Sequence, residues 1–163
     1  MAGYQVPANL GARLASPFLV PPADGAETLR RQEGHRWREK FVIESYEFSV
    51  DPSDPLQHEK VKVQLKVSQN SDFDENKGRI VTHFLDFYWK AAETGQPENR
   101  SKQTQISYQN FVTLTQAMGY TGFPSPSEID PSDVRGMNVS AVVTVAKDKT
   151  GTMRQRLDGW LAD

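Results

Sequence analysis

The sequence predicts a β-rich domain of the all-β to α+β class: a five-stranded barrel with one helix between its third and fourth strands and an irregular N-terminal arm. Three observations support this fold class. Five segments have the composition of β-strands, one segment has the period of an amphipathic helix, and residues 1–29 are rich in alanine, glycine and proline without a sustained period. We expect a partly ordered arm at residues 1–40 and one domain at 41–163, because 163 residues suffice for a single core.

Bulk composition limits the partners. The net charge of −2 gives no general attraction to nucleic acid or to a membrane, so a polyanion-binding surface would need local segregation of the 19 basic residues. The absence of cysteine excludes disulfides and thiolate chemistry, and no apolar run approaches the roughly 20 residues of a membrane-spanning helix. The start of the chain lacks a signal-peptide pattern, so we expect a cytoplasmic protein with no membrane partner.

The predicted arm ends in a basic segment, residues 30–40, in which five cations accompany two anions. Trp37 lies between Arg36 and Arg38, an arrangement suited to stacking on bases while the guanidinium groups contact phosphates. The same pattern is also typical of a solvated segment whose tryptophan covers the core. Earlier in the arm, residues 18–20 are apolar and are candidates for docking on the domain or on another subunit.

The first two strands are predicted at residues 41–50 and 60–67. In the first, the apolar phase slips between Ile43 and Tyr46, which indicates a β-bulge. In the second, branched aliphatic residues alternate with a lysine row. This row is either a rail that follows a nucleic-acid backbone or a solubilising face that prevents aggregation. Its members are Lys60, Lys62 and Lys66.

The third strand, predicted at residues 79–90, combines aromatic residues with a cation at each end. Large side chains fall on both faces of this strand. In a sheet with one solvent-exposed face, a strand carries its large apolar side chains on the buried face only. Either both faces are buried or one face is an exposed aromatic platform. The large side chains are those of Phe84, Leu85, Phe87, Tyr88 and Trp89.

One helix is predicted at residues 101–118, with Phe111 in its apolar stripe and with Gly119 suited to a left-handed position after its end. Two further strands are predicted at residues 136–147 and 152–161, joined by a short reversal. A second basic cluster is expected at this hairpin. It consists of Lys147, Lys149, Arg154 and Arg156.

Five strands with a helix between the third and the fourth follow the order of an oligonucleotide/oligosaccharide-binding (OB) barrel. In such barrels the face of strands 2 and 3, with the loops that join strands 1–2 and 4–5, forms the ligand surface. We therefore predict a surface that binds nucleic acid through basic and aromatic side chains. Its predicted members are Arg36, Trp37, Arg38, Lys60, Lys62, Lys66, Arg79, Tyr88, Trp89, Lys90, Lys147, Lys149, Arg154 and Arg156.

Catalytic motifs are missing from the sequence. The three histidines are far apart and do not have the spacing of zinc ligands, and no glycine-rich phosphate loop or nucleophile motif occurs. The one cluster of carboxylates, at residues 72–75, departs from the spacing of a calcium loop and suits an acidic turn. We therefore expect no enzyme activity, no cofactor and no metal.

The run at residues 78–90, the helix that closes with Met118-Gly119, the proline-rich spacer and the run at 134–139 resemble a family of phage-encoded small proteins. The resemblance covers about residues 41–160. Members lie among replication and recombination genes and are thought to be single-stranded DNA-binding proteins with an OB barrel.

The resemblance implies a sequence-tolerant single-stranded DNA-binding protein of phage-type replication or recombination, acting in the host cytoplasm through base stacking and phosphate contacts. The expected partners are single-stranded DNA or RNA, a second copy of the chain, and replication or recombination proteins. The alternative is a non-enzymatic protein-interaction or virion assembly module whose aromatic residues form a subunit interface.

Overall fold

A computed structural model describes Leu19 and residues 27–29, 34–91 and 98–163. Its strands are β1 (Glu27–Leu29), β2 (Gly34–Val50), β3 (His58–Val67), β4 (Ile80–Tyr88), β5 (Asn138–Lys147) and β6 (Met153–Ala162). The long helix α1 (Glu98–Ala117) follows β4. A 3₁₀ turn (Pro126–Glu128) and the four-residue helix α2 (Pro131–Val134) then precede β5.

The described strands form an open antiparallel sheet. The five long strands are ordered β4-β3-β2-β5-β6, and β1 pairs with the N-terminal end of β2. The predicted five strands and one main helix are confirmed. The edge strands β4 and β6 do not pair with each other within the described residues, which corrects the expectation of a closed barrel. Instead of meeting, both edge strands pack against α1.

Side chains of α1 bind the backbone of both edge strands. Ser107 Oγ accepts a hydrogen bond from the amide of Asp86 in β4 at 3.2 Å. Asn110 Nδ2 donates to the carbonyl of Leu157 in β6 at 2.8 Å. Because an edge strand presents unpaired backbone groups, these bonds satisfy groups that a closed barrel would pair between β4 and β6.

β2 is longer than the sequence predicted, since it begins at Gly34. Its first half pairs with β5 and its second half with β3, and the register shifts between Ile43 and Ser45, which confirms the predicted bulge. The predicted boundary between residues 40 and 41 falls inside this strand, so residues 34–40 are part of the sheet. Gly34 lies so close to β5 that an added Cβ would stand 2.5 Å from the Cβ of Ala146.

The core lies between the inner face of the sheet and α1. The valines of β3 and the apolar stripe of α1, including Phe111, are buried as predicted. Leu19 is buried in the same core, and its amide donates to Gln155 Oε1 at 2.8 Å. This residue of the predicted apolar arm segment therefore docks on the domain. Its neighbours at positions 18 and 20 lie outside the described residues.

α1 ends as the sequence predicted. Gly119 takes a φ of +91°, a left-handed conformation that suits glycine after the last helical turn. Within the described ranges, neither α1 nor any shorter helix has the length and apolar content needed to cross a membrane.

Candidate functional site

The outer face of β3 and β4, opposite the core, carries the lysine row, and we call this surface the lysine face. It consists of Lys60, Lys62, Gln64 and Lys66 of β3 and of Ile80, Thr82 and Phe84 of β4. The strict alternation predicted for β3 is confirmed, because the residues between the lysines are buried. In the strand register, Lys62 stands directly opposite Phe84.

Phe84 provides an exposed aromatic ring on the lysine face. Its surface is 50% exposed, and Lys60 Nζ lies 5.3 Å from the ring centroid. Lys62 Nζ is 3.9 Å from the carboxylate of Glu47, and these two side chains are 40% and 66% exposed. β4 therefore buries its inner face and exposes a ring beside the Lys60 ammonium on its outer face. Such a ring can stack a base while the cations contact the flanking phosphates.

Tyr88, which was predicted to stack on bases, is stacked within the protein. Its ring lies nearly parallel to that of His58 at 4.3 Å, and the guanidinium of Arg100 lies 4.6 Å from the Tyr88 centroid. Arg100 Nη1 also donates to the Tyr88 hydroxyl at 2.9 Å. His58 Nε2 in turn pairs with Asp86 Oδ1 at 2.8 Å. Since these contacts hold the ring in place, Tyr88 offers less surface to a ligand than Phe84.

Trp89 is partly exposed at the end of β4. Its ring stacks on that of Phe87 at 5.2 Å and meets the Tyr108 ring edge-on at 6.2 Å. Its Nε1 donates to Glu59 Oε2 at 2.7 Å. These contacts fix the orientation of the ring.

The next residue, Lys90, is half-buried, and its amide donates to the carbonyl of Leu56 in the loop before β3.

Cations of β2 and β6 form a second basic surface on the outer side of the sheet, which we call the arginine face. Its members are Arg36, Arg38, Arg154 and Arg156. All four side chains are exposed, and Thr144 of β5 stands opposite both Arg36 and Arg156. Arg38 Nη1 donates to Ser140 Oγ at 3.0 Å, so one of these guanidinium groups is held against β5.

The end of β5 and the turn that follows it add two exposed lysines, Lys147 and Lys149, and one anion, Asp148. Thr150 Oγ1 donates to Asp148 Oδ1 at 2.6 Å, and Arg154 Nε donates to Asp148 Oδ2 at 3.0 Å. These two hydrogen bonds, with that of Thr150 the larger influence, hold the pKa of Asp148 below its usual range. The ionised carboxylate therefore pairs with Arg154 and lowers the net positive charge of this cluster.

Two predicted site residues face the interior, which corrects their assignment to the binding surface. Trp37 is 5% exposed and Arg79 is 6% exposed. The cause is the two-residue period of a strand. Trp37 shares the inner face of β2 with Phe41, and Arg79 precedes β4 in phase with the buried Val81.

The lysine face thus gathers three of the predicted cations, and the arginine face gathers four others. Sequence reasoning left Phe84 and Arg100 out of the predicted site. Alternation from the apolar neighbours Leu85 and Phe87 could have placed Phe84 on the outer face. No local signal could have found Arg100, because its contact with Tyr88 depends on how α1 packs against β4.

A cleft of about 680 Å³ lies where β4, α1 and β6 converge. We call it the edge cleft, since the edges of β4 and β6 flank it. Residues that line it include Thr82 and Phe84 of β4, Ile106 and Asn110 of α1, Arg156 and Asp158 of β6, and Arg36 of β2. The edge cleft therefore brings the exposed ring of the lysine face and two cations of the arginine face to one depression.

His83 also lines the edge cleft, and its imidazole takes part in a hydrogen-bonded network. His83 Nε2 and Trp160 Nε1 lie 3.0 Å and 2.8 Å from Asn110 Oδ1. Because Asn110 Oδ1 accepts both bonds, His83 Nε2 carries the proton. Burial lowers the pKa of His83, while the hydrogen bond to Asn110 and the charge of Asp158 raise it to a smaller extent. Burial therefore favours the neutral form of the imidazole.

The described residues contain no group of three or more histidine, cysteine, aspartate or glutamate side chains that could hold a metal ion. No family model, characterised protein or solved structure matches this chain. Its function is therefore inferred from the surfaces described above.

Proposed function

We propose that this protein binds single-stranded DNA on the lysine face, with little sequence preference. One observation carries the proposal: the half-exposed ring of Phe84 has Lys60 Nζ 5.3 Å from its centroid and Lys62 directly across the strand pair. The fold is consistent with it. A helix between the third and fourth long strands fits a partly open OB arrangement, whose strand 2–3 face binds single strands.

Base stacking provides the first contribution to binding. A base on the open face of Phe84 displaces water from an apolar ring and contributes about 1–3 kcal/mol. Every base has such a π-face, so this contact tolerates any sequence. Lys60 lies over the same ring, and its four-carbon side chain lets the ammonium move to a neighbouring phosphate when a base takes its place.

Phosphate contacts provide the second contribution. Alternate residues of a strand lie about 6.8 Å apart, so Lys60 and Lys62 are one such step apart on the outer face and Lys66 lies two steps beyond Lys62. If the three lysines each neutralise one phosphate, the slope of log affinity against log salt concentration is about −2. The arginine face is the weaker candidate, because Arg38 and Arg154 are hydrogen-bonded within the protein.

Fluorescence anisotropy with labelled oligo(dT), at about 50 and 200 mM salt, tests the proposal. We expect binding that weakens as salt rises, and weaker binding to a duplex of equal length. The variant with Lys60, Lys62 and Lys66 all changed to Gln should lose most of its affinity. A control variant, Lys147→Gln with Lys149→Gln, removes two exposed lysines at the end of β5 and in the turn that follows, and it should keep most of its affinity. Failure of the wild-type protein to bind, or equal loss in both variants, contradicts the proposal.

A further inference from the structure

We propose that a pocket on the β5–β6 hairpin binds a small molecule through its terminal phosphate group. This pocket, which we call the hairpin pocket, has a volume of about 300 Å³. It is lined by residues that include Thr144, Lys147, Asp148, Arg154 and Arg156. The end of β5 lies beside the first residues of β2, whereas β3, which carries the lysine face, pairs with β2 only from Phe41 onward. Phosphate binding there is therefore independent of DNA binding on the lysine face.

The register of the hairpin explains the shape of the pocket. Thr144 of β5 stands opposite Arg156 of β6. One step along the same face, Ala146 stands opposite Arg154. Alternate residues of a strand lie about 6.8 Å apart, so the two arginines are neighbours on the outer side of the sheet. Ala146 is buried and its side chain is a single methyl group, which leaves a depression beside the long arginine side chains.

The hairpin pocket has an excess of positive charge. Its lining contains one carboxylate, that of Asp148, and three cations, which are Lys147, Arg154 and Arg156. Arg154 Nε donates to Asp148 Oδ2 at 3.0 Å, so the carboxylate neutralises this one cation. Asp148 also accepts a hydrogen bond from the amide of Thr150 at 2.9 Å, which holds it in the turn. Neither Lys147 nor Arg156 forms an ion pair with another described residue. Two positive charges therefore remain for a ligand.

The hydrogen-bond donors of the pocket match the oxygens of a phosphate. The bond to Asp148 uses Nε of Arg154 and leaves both terminal amino groups of that guanidinium able to donate. Because the carboxylate already orients Arg154, less conformational freedom is lost when a ligand binds. Arg156 presents a second planar fork, a geometry that suits two oxygens of one phosphate. Thr144 Oγ1 forms no hydrogen bond with another described residue and adds a hydroxyl donor.

The charge of the pocket favours a terminal phosphate over other anions. A phosphate monoester has a second pKa of about 6, so it carries nearly two negative charges at pH 7. It therefore balances Lys147 and Arg156, the two cations that Asp148 does not neutralise. A phosphodiester within a nucleic-acid strand carries a single charge, as does a carboxylate, and either would leave one cation unbalanced.

Titration of the full chain with inorganic phosphate at pH 7.5, followed by ¹H–¹⁵N NMR spectra, tests the proposal. We expect phosphate to shift the backbone amides of Thr144 and Arg156 until the site is saturated, whereas sodium chloride of equal ionic strength should not. Thymidine 5′-monophosphate should shift the same amides, and thymidine should leave them unchanged. Arg156→Gln should weaken phosphate binding about tenfold, because charged hydrogen bonds are lost. Arg135→Gln removes an exposed guanidinium outside the pocket and should bind as the wild type does.

Lys147→Gln provides a second measurement if Arg156→Gln does not fold, and it should weaken phosphate binding about five- to tenfold. Equal shifts with phosphate and with chloride overturn the proposal, since they mean a general effect of ions. So do shifts that oligo(dT) causes and thymidine 5′-monophosphate does not, which mean that the pocket contacts a nucleic-acid strand. Equal weakening in Arg156→Gln and Arg135→Gln also contradicts a specific site, because the overall charge of the protein is then the cause.

Discussion

Lys62 stands directly across the β3–β4 pair from Phe84, at a position where neither residue bonds the other through the backbone and the side chains approach most closely. Lys60, two residues away, places its ammonium 5.3 Å from the same ring. An exposed aromatic ring on an open sheet would otherwise favour association between sheets, which lysines oppose. The same arrangement leaves a cation-flanked ring accessible to a flat ligand.

Removal of the Phe84 ring should weaken DNA binding without unfolding the protein. Because the ring is half exposed, Phe84→Ala should leave the Tm almost unchanged, while the lost stacking lowers affinity for oligo(dT) by about 1–3 kcal/mol. Anisotropy titration and thermal melting measure the two effects. Phe123→Ala is the matched control, since Phe123 is 73% exposed and lies outside the lysine face. Equal loss of affinity in both variants argues against stacking on Phe84.

Lys62→Gln should change the salt dependence of DNA binding. If Lys62 neutralises one phosphate, its loss makes the slope of log affinity against log salt concentration less steep by about 0.7. Titrations at several salt concentrations give the slope directly. Lys149→Gln removes the same charge from an exposed turn and should keep the wild-type slope. A parallel decrease in both variants would indicate a general charge effect.

Trp37 and Trp89 should differ in their contributions to stability. Trp37→Ala removes a buried ring and should lower the free energy of unfolding by about 3–5 kcal/mol. Trp89→Ala should lower it by less, because that ring is 38% exposed. Urea denaturation of both variants tests the order. A larger loss for Trp89→Ala would mean that Trp89, and not Trp37, is the more deeply buried ring.

His83 should make stability depend on pH. Burial lowers its pKa in the folded protein, so as pH falls the unfolded chain takes up the proton first, near the ordinary histidine pKa of about 6.5. Stability contributed by the neutral imidazole is therefore present above that pH and is lost on acidification, by up to about 1.4 kcal/mol per pH unit. His83→Gln should flatten this decrease in urea denaturation between about pH 7.5 and 5. If the free energy of unfolding falls with pH equally steeply in the wild type and in His83→Gln, His83 does not cause the loss of stability on acidification.

Gly34→Ala should destabilise the junction of β2 and β5. The new methyl group would lie 2.6 Å from the carbonyl oxygen of Val145, and backbone cannot move aside as a side chain can. We expect a loss of about 1–3 kcal/mol in the free energy of unfolding. Ser49→Ala, at an exposed position of the same strand, should change stability little. Urea denaturation measures the change. If Gly34→Ala unfolds at the same urea concentration as the wild type, β2 and β5 are further apart at Gly34 than the structure places them.

Local patterns predicted most of the elements of the fold. The alternation in β3, the bulge at Ile43 and the stripe of α1 depend on residues close in the chain, and all three are confirmed. The beginning of β2 was missed, because the basic composition around Trp37 concealed a two-residue period that continues to Phe41. Trp37 was therefore assigned to a surface, although that same period turns it toward the core.

The amino-acid sequence by itself determined the order of the elements, the lysine row and the absence of disulfides, since each follows from residue type or short-range period. Only the tertiary structure decided that β4 and β6 do not pair with each other within the described residues, that Phe84 is more exposed than Tyr88, and that Arg36 reaches the cleft beside Phe84. The physical reason is the position of α1. Its packing between the edge strands depends on contacts far apart in sequence, which no local period encodes.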